Sequence, residues 1–298
     1  MLEKLKTENR NSESMKIDEC SIVEILQIMN AEDKKVPEAI ANEIELIGKA
    51  VEYVVDSLKK GGRLIYIGAG TSGRLGVLDA AECPPTYGID DSIVLGLIAG
   101  GESAFLKAVE GAEDSYDLAI EDLSSVNLNK NDTVIGLAAS GRTPYVIGGL
   151  KYAKDLGAHT VAIACNKNAK ISKYSDLAIE IETGAEVVTG STRLKAGTAQ
   201  KNVLNMISTG AMICMGKVYS NLMVDMQSTN YKLEQRAIRM ILEVLDVKEE
   251  EAVNLLKLSD GNVKLAIFMG VSSLSKGECI KLLEENGGFL KKALKTID

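Results

Sequence analysis

Five short β-rich runs, at 63–67, 92–99, 133–137, 159–164 and 177–181, constrain this 298-residue chain more than any other feature. Helix-length segments separate most of them. Strands joined by such long crossovers pair in parallel, with helices covering both faces of the sheet. The expected fold class is therefore α/β: a doubly wound, parallel five-stranded sheet with flanking helices. Two amphipathic stretches, 18–29 and 37–59, precede the first run, the second closing at Lys59-Lys60-Gly61-Gly62, and both read as helices. A longer helical stretch, 194–219, follows the last run. An apolar content of 46% is ample for the core that such a sheet needs.

The chain from about residue 230 is helical and repeats itself. Leu255-Leu256 recurs as Leu282-Leu283, Gly261 as Gly288 and Ala266 as Ala293, a constant offset of 27 residues. Two copies are too few for a solenoid, but two helical hairpins with a glycine at each turn make a small bundle. The expected organisation is a helical arm over 1–56, a ligand-binding α/β domain over 57–220 and a helical, UBA-like module over 221–298.

Charge and composition exclude several functions. A net charge of -8 repels nucleic acid and anionic membranes, so an anionic ligand requires a local site. The five cysteines (Cys20, Cys83, Cys165, Cys214, Cys279) are scattered, without a Cys-x-x-Cys pair, and read as reduced thiols rather than metal ligands. The polar first residues lack the apolar stretch of a signal peptide, and no run of about 18 apolar residues could cross a bilayer. A cytoplasmic location is expected. The single histidine, His159, stands at the start of an apolar run and reads as a strand residue rather than a catalytic base. Proton transfer then falls to Glu, Asp, Lys or Tyr, with no metal and no organic cofactor.

In a parallel sheet, ligands bind beyond the carboxyl ends of the strands. The segments there read GAGTSGR (68–74), GGES (100–103), AASGRTP (138–144), CNKN (165–168) and TGAEVVTGSTR (183–193). The first satisfies G-x-G-x-x-G, but the acid of a dinucleotide fold, about 20 residues on, would fall near 92–94 inside an apolar run. Its glycines instead suit close approach of backbone N–H groups to a phosphate monoester, with Thr71 and Ser72 adding hydroxyls. Ser140-Gly141-Arg142-Thr143 half-repeats the pattern, and Ser191-Thr192 supplies a third hydroxyl pair. Either Ser72 or Thr143 alone could be an ordinary helix cap; the conjunction of three loops favours a phosphate clamp built from Gly70, Thr71, Ser72, Ser140, Gly141, Arg142, Thr143, Ser191 and Thr192.

Two acids stand apart from the surface charges. Glu82 lies in a Pro-interrupted stretch and Glu113 in a Gly-interrupted one, each following a helix. Spacing alone does not separate a catalytic role from a helix-end charge, Glu82 paired with Arg74 or Glu113 favouring the next helix N-terminus.

The segments TENRN, GAGTSGRLGVLDAAECPPTYG, EGAEDS, ASGRTPYVIGGL and TGSTRLKAGTAQKNVLNMIST together resemble the N-acetylmuramic acid 6-phosphate etherases, enzymes built on the sugar isomerase (SIS) domain. The resemblance spans almost the whole chain. It implies cleavage of the lactyl ether of N-acetylmuramic acid 6-phosphate to N-acetylglucosamine 6-phosphate and D-lactate during recycling of cell-wall sugars, by a homodimer without a cofactor. It places the family's acid at Glu82 and its base at Glu113, and makes Ser72, Ser140 and Thr143 phosphate-loop residues. The chemistry suits two carboxylates: a base removes the C2 proton beside the open-chain aldehyde while an acid protonates the departing alkoxide. Such an acid stays protonated near neutrality only when desolvated or set near another negative charge. A phosphosugar isomerase, a non-catalytic sugar-phosphate sensor and a dehydrogenase are the competing readings. Product analysis for lactate, the single SIS domain seen here where a vertebrate glucokinase regulator has two, and a test of NAD binding separate them.

Overall fold

The computed structural model describes residues 5–227 and 230–297. The chain divides into two compact units, one of Met1–Ala81 and Ser92–Ser208, the other of Glu82–Asp91 and Thr209–Asp298.

The first unit opens with short 3-10 turns and then three helices, α1 (Ile22–Asp33), α2 (Lys35–Ala41) and α3 (Ile44–Lys59). The two helical stretches expected from the sequence thus become three helices. Ser21 starts α1 with a capping box, its hydroxyl accepting the Glu24 N–H while Glu24 returns to the Ser21 N–H. The sheet elements follow: β1 (Leu64–Gly68), α4 (Gly70–Tyr87), β2 (Val94–Ile98), α5 (Ser103–Leu106), α6 (Tyr116–Ser125), β3 (Thr133–Ala138), α7 (Pro144–Asp155), β4 (His159–Ala164), β5 (Leu177–Glu180) and α8 (Lys195–Cys214). The unit boundaries fall within α4, between α4 and β2, and within α8.

All five strands are parallel, in the order β2-β1-β3-β4-β5. After β2 the chain crosses back to the far side of β1, so the winding direction reverses between β1 and β3. Ligand crevices form at that point. Side-chain alternation sends Ile65 and Ile67 into a core with Ala119 and Leu123 of α6 and Val146 and Leu150 of α7. On the other face, the backbone of α4 lies close to β1. A Cβ on Gly73 would sit 2.6 Å from the Gly68 carbonyl oxygen and 2.7 Å from Ile98, so the last glycine of the G-x-G-x-x-G pattern serves helix-on-strand packing.

The amino edge of the sheet is fastened by polar contacts. Fully buried Asp132 accepts from the Arg63 backbone N–H at 2.9 Å and from its guanidinium at 2.7 Å, and Ser57 and Thr133 hydroxyls pair at 2.7 Å. His159, the first residue of β4, stacks on Tyr53 and meets Asp56 at 3.0 Å at this same edge. It has a structural setting there, while the opposite edge carries the Gly- and hydroxyl-rich loops.

The second unit contains α9 (Tyr231–Val244), α10 (Glu249–Leu258), α11 (Val263–Ser272), α12 (Lys276–Glu285) and α13 (Leu290–Leu294) around its own core of Ala237, Ile241, Leu256, Ala266, Phe268 and Leu290. The sequence echo is realised as two hairpins, α10–α11 and α12–α13, with Gly261 and Gly288 in the turns. Among the described residues no helix is long and apolar enough to cross a membrane.

Candidate active site

The loops after β1 and β3 leave neighbouring strands at the carboxyl edge and flank the reversal point. The first passes directly into α4, so Thr71 and Ser72 belong to the helix's first turn, where backbone N–H groups have no intrahelical acceptor. Ser72 is not an N-cap. Its buried hydroxyl donates to Gln200 Oε1 of α8 at 2.9 Å. Thr71 faces the third loop: a Cβ on Gly197 would lie 3.7 Å from both the Thr71 methyl and the Thr192 carbonyl oxygen. The first and third hydroxyl-rich loops are therefore adjacent.

In the second loop Gly141 has φ +70°, and a Cβ there would overlap the Cβ of Ala169. Its carbonyl accepts the Ile171 N–H at 3.1 Å, which ties the loop to the segment after β4. Thr143 occupies the N-cap position of α7, ahead of Pro144, yet makes no side-chain cap hydrogen bond. Its hydroxyl has no capping role.

Glu113 lies in a 3-10 turn, Ala112–Asp114, and its side chain is exposed. It lines a cavity of 320 Å³ together with Gly70, Arg74, Ala99 and Gly111. The structure thus brings Glu113 to Gly70, the first residue of α4, whereas Thr71, Ser72, Ser140, Gly141, Arg142, Thr143, Ser191 and Thr192 do not line this cavity. Arg74 donates from Nε to the Phe105 carbonyl at 2.7 Å and from Nη2 to that of Ala104 at 2.9 Å, fixing the α5 turn beside the cavity. Pairing of Arg74 with Glu82 is therefore not its role.

Glu82 belongs to the second unit, exposed on α4 beside buried Cys83. The helix does not stop before Pro84 and Pro85, as the sequence suggested, but continues through them to Tyr87. Gly88, with positive φ, ends it by donating to the Pro84 carbonyl at 2.9 Å.

Models of two protein families match the chain: the glucokinase regulatory protein N-terminal SIS domain over residues 46–154 and the SIS domain over 114–210. The N-acetylmuramic acid 6-phosphate etherase of Bacillus cereus (strain AH187) is 62% identical over 294 residues, which cover 99% of this chain and 100% of that protein. The chain belongs to the N-acetylmuramic acid 6-phosphate etherase family. The etherase of Bacillus anthracis (strain CDC 684 / NRRL 3495) is 61% identical over the same shares. Solved structures support the fold alone. A phosphosugar isomerase, described as putative and as involved in capsule formation, from Bacteroides fragilis NCTC 9343 aligns with TM-score 0.51 and 20% identity, covering 67% of this chain and 95% of its own.

The sequence placed TENRN in the N-terminal arm of this etherase-family chain but gave it no partner. Thr7, fully buried, exchanges two hydrogen bonds with Asn166: its N–H donates to Oδ1 at 3.3 Å and its hydroxyl accepts from Nδ2 at 2.9 Å. Asn11 donates to the Ala185 carbonyl and Ser14 to that of Val187, so the arm runs along the segment after β5. Glu8 Oε2 comes within 3.4 Å of where a Cβ on Gly190 would lie, bringing a further carboxylate to the third loop. A polar motif in an N-terminal segment was the available signal, but its partner Asn166 lies 159 residues away.

Buried acids fix the start of α8. Glu186, without solvent exposure, accepts the Lys195 and Ala196 N–H groups at 2.9 and 3.0 Å, as a side chain does at a helix N-terminus. Burial pushes its carboxyl above the usual range against those two hydrogen bonds. The Lys195 ammonium donates to Glu32 Oε2 at 2.6 Å. Burial pushes Glu32 up, but hydrogen bonds from Lys195, Lys35 and Asn11 outweigh it and hold the carboxyl at about 2. These ions hold the GSTR loop and α8 against α1.

Proposed function

We propose that this chain cleaves the D-lactyl ether of N-acetylmuramic acid 6-phosphate, releasing D-lactate and N-acetylglucosamine 6-phosphate. The observation that carries this reading is 62% identity to an etherase of that name over 99% of the chain. Glu113 acts as the base. It removes the C2 proton of the open-chain sugar, whose C1 aldehyde takes up the resulting charge. Glu82 acts as the acid, protonating the ether oxygen as the C3–O bond breaks, so that lactate leaves as a neutral hydroxyl rather than an alkoxide. Water then adds at C3, with the proton transfers reversed.

Supporting the first step, Glu113 is solvent-accessible at a cavity shared with Gly70, so a carboxylate and a Gly-rich phosphate loop meet around one space. Supporting phosphate recognition, the Thr143 hydroxyl, which makes no capping bond, and the α4 N-terminal turn offer donors at the sheet's reversal point. Ser140, Gly141, Arg142, Ser191 and Thr192 complete the clamp in this reading. The working form is a cytoplasmic homodimer in amino-sugar recycling, with an arm over 1–56, the SIS domain over 57–220 and a helical module over 221–298.

The deciding experiment incubates purified protein with N-acetylmuramic acid 6-phosphate in deuterated buffer, following D-lactate enzymatically and C2 exchange by NMR. Glu113→Gln abolishes both lactate release and exchange. Glu82→Gln abolishes release but leaves slow exchange, because proton removal precedes departure of the leaving group. A wild-type protein that exchanges C2 without releasing lactate is an isomerase; full activity in both variants refutes the assignment of the two acids.

A further inference from the structure

On α8, Gln200 faces the first turn of α4. It is fully buried, and Ser72 is nearly so. Ser72 Oγ donates its one proton to Gln200 Oε1 at 2.9 Å. Gln200 Nε2 has no hydrogen-bond partner among the described residues, although the atom is buried. A buried amide N–H2 left idle is a costly arrangement and calls for an explanation. Farther along the same two helices, Asp79 of α4 accepts from Asn205 at 2.7 Å and Ser208 at 3.2 Å of α8. The idle donor is thus confined to the end of this polar seam that adjoins the phosphate loop.

The amide has two orientations of the same shape. In the one observed, the Ser72 proton is held by Gln200 and cannot reach a ligand. Rotated by half a turn, the amide donates from Nε2 to Ser72 Oγ, and the serine proton is released. Each orientation leaves one amide group idle, so the protein alone has little preference between them. A phosphoryl oxygen beside Ser72 breaks the tie, since it accepts the serine proton only when Gln200 acts as donor. We propose that Gln200 is a positioning residue for phosphate recognition, acting through Ser72 by reversing the direction of their hydrogen bond when the phosphosugar binds. This rests on the reading of Ser72 as a phosphate-loop residue.

The test is steady-state kinetics of D-lactate release with Gln200→Glu, Gln200→Met, Ser72→Ala and the two double variants, each checked for folding by thermal melting. A carboxylate at 200 can only accept and holds the serine proton. Q200E should raise KM about 10-fold or more with kcat within about 3-fold, and Q200M, which removes the supporting donor, should raise KM only about 3-fold to 5-fold. In the S72A background both effects should vanish, because a relay needs its second member. Equal effects of Q200E and Q200M, or a Q200E penalty that persists undiminished in S72A, overturn the relay. Should Q200E fail to fold, Q200M decides: no rise in KM, or a rise that survives in S72A, overturns it. If S72A leaves KM unchanged, Ser72 does not hold phosphate and the relay falls with it; if S72A raises KM but the Gln200 variants are additive with it, only the relay is wrong.

Discussion

Gly141→Ala tests whether the second loop is fixed by backbone conformation and close packing rather than by sequence habit. Two penalties apply. At φ +70° an L side chain is in the left-handed region, which costs about 1–2 kcal/mol. The added methyl would also overlap the Cβ of Ala169, with the Ala169 Cα at 3.2 Å and the Ala164 Cβ at 3.3 Å. Ala169 is itself buried and pinned by its N–H to Glu180 at 2.8 Å, so it cannot retreat without breaking that bond. Overpacking of this kind costs about 1–3 kcal/mol, for a total of about 2–5 kcal/mol. Urea unfolding followed by circular dichroism should show the loss in midpoint. Ala169→Gly in the G141A background should recover the packing share and leave the conformational share. A G141A variant within about 0.5 kcal/mol of wild type would refute the reasoning, as would a failure of A169G to recover any of the loss.

Ser72→Ala and Ser140→Ala should each weaken phosphosugar binding by about 1–3 kcal/mol, read as KM; unchanged KM in both folded variants would return them to structural roles. Glu32 has its carboxyl held at about 2, below its ordinary 4.5, so it favours the folded state above pH 4.5 and loses that contribution as pH falls from 4.5 to 2. It is worth up to about 3 kcal/mol, so the stability gap between wild type and Glu32→Gln should narrow across that window and stay constant from about pH 6 to 8. Thr183 has a buried hydroxyl without a partner among the described residues, so Thr183→Val should be neutral or stabilising by about 1 kcal/mol in urea unfolding. Burial, then the charge of Glu186, pushes the Cys165 thiol up to about 12; maleimide at about pH 8 should spare Cys165 in the folded protein while labelling exposed Cys214, and mass spectrometry reads both.

Most of the sheet was legible because its signals are local. The apolar runs expected at 133–137 and 159–164 are β3 and β4 to within one residue, and a strand buried on both faces must be nearly all apolar. The hydroxyl-rich loops were legible for a similar reason, since glycines and the Pro144 helix start fix them from within a few residues. The prolines misled because Pro84 and Pro85 weaken a helix without deciding where it ends; α4 runs on to Gly88, whose N–H closes the last turn.

Residue order alone set which chemistry was available: two distinctive carboxylates, one histidine placed as a strand residue, three hydroxyl-rich loops, and motifs dense enough to identify the family. Which partner each of those groups takes was settled only by packing. Ser72 could be read as a helix cap or as a phosphate ligand, and the fold gives its proton to Gln200, 128 residues away. Arg74 could have answered Glu82, and the fold commits it to the carbonyls of Ala104 and Phe105. The physical reason is common to both. Local propensity reaches only a turn or two along the chain, whereas a hydrogen bond belongs to whichever partner the packed core brings within about 3 Å.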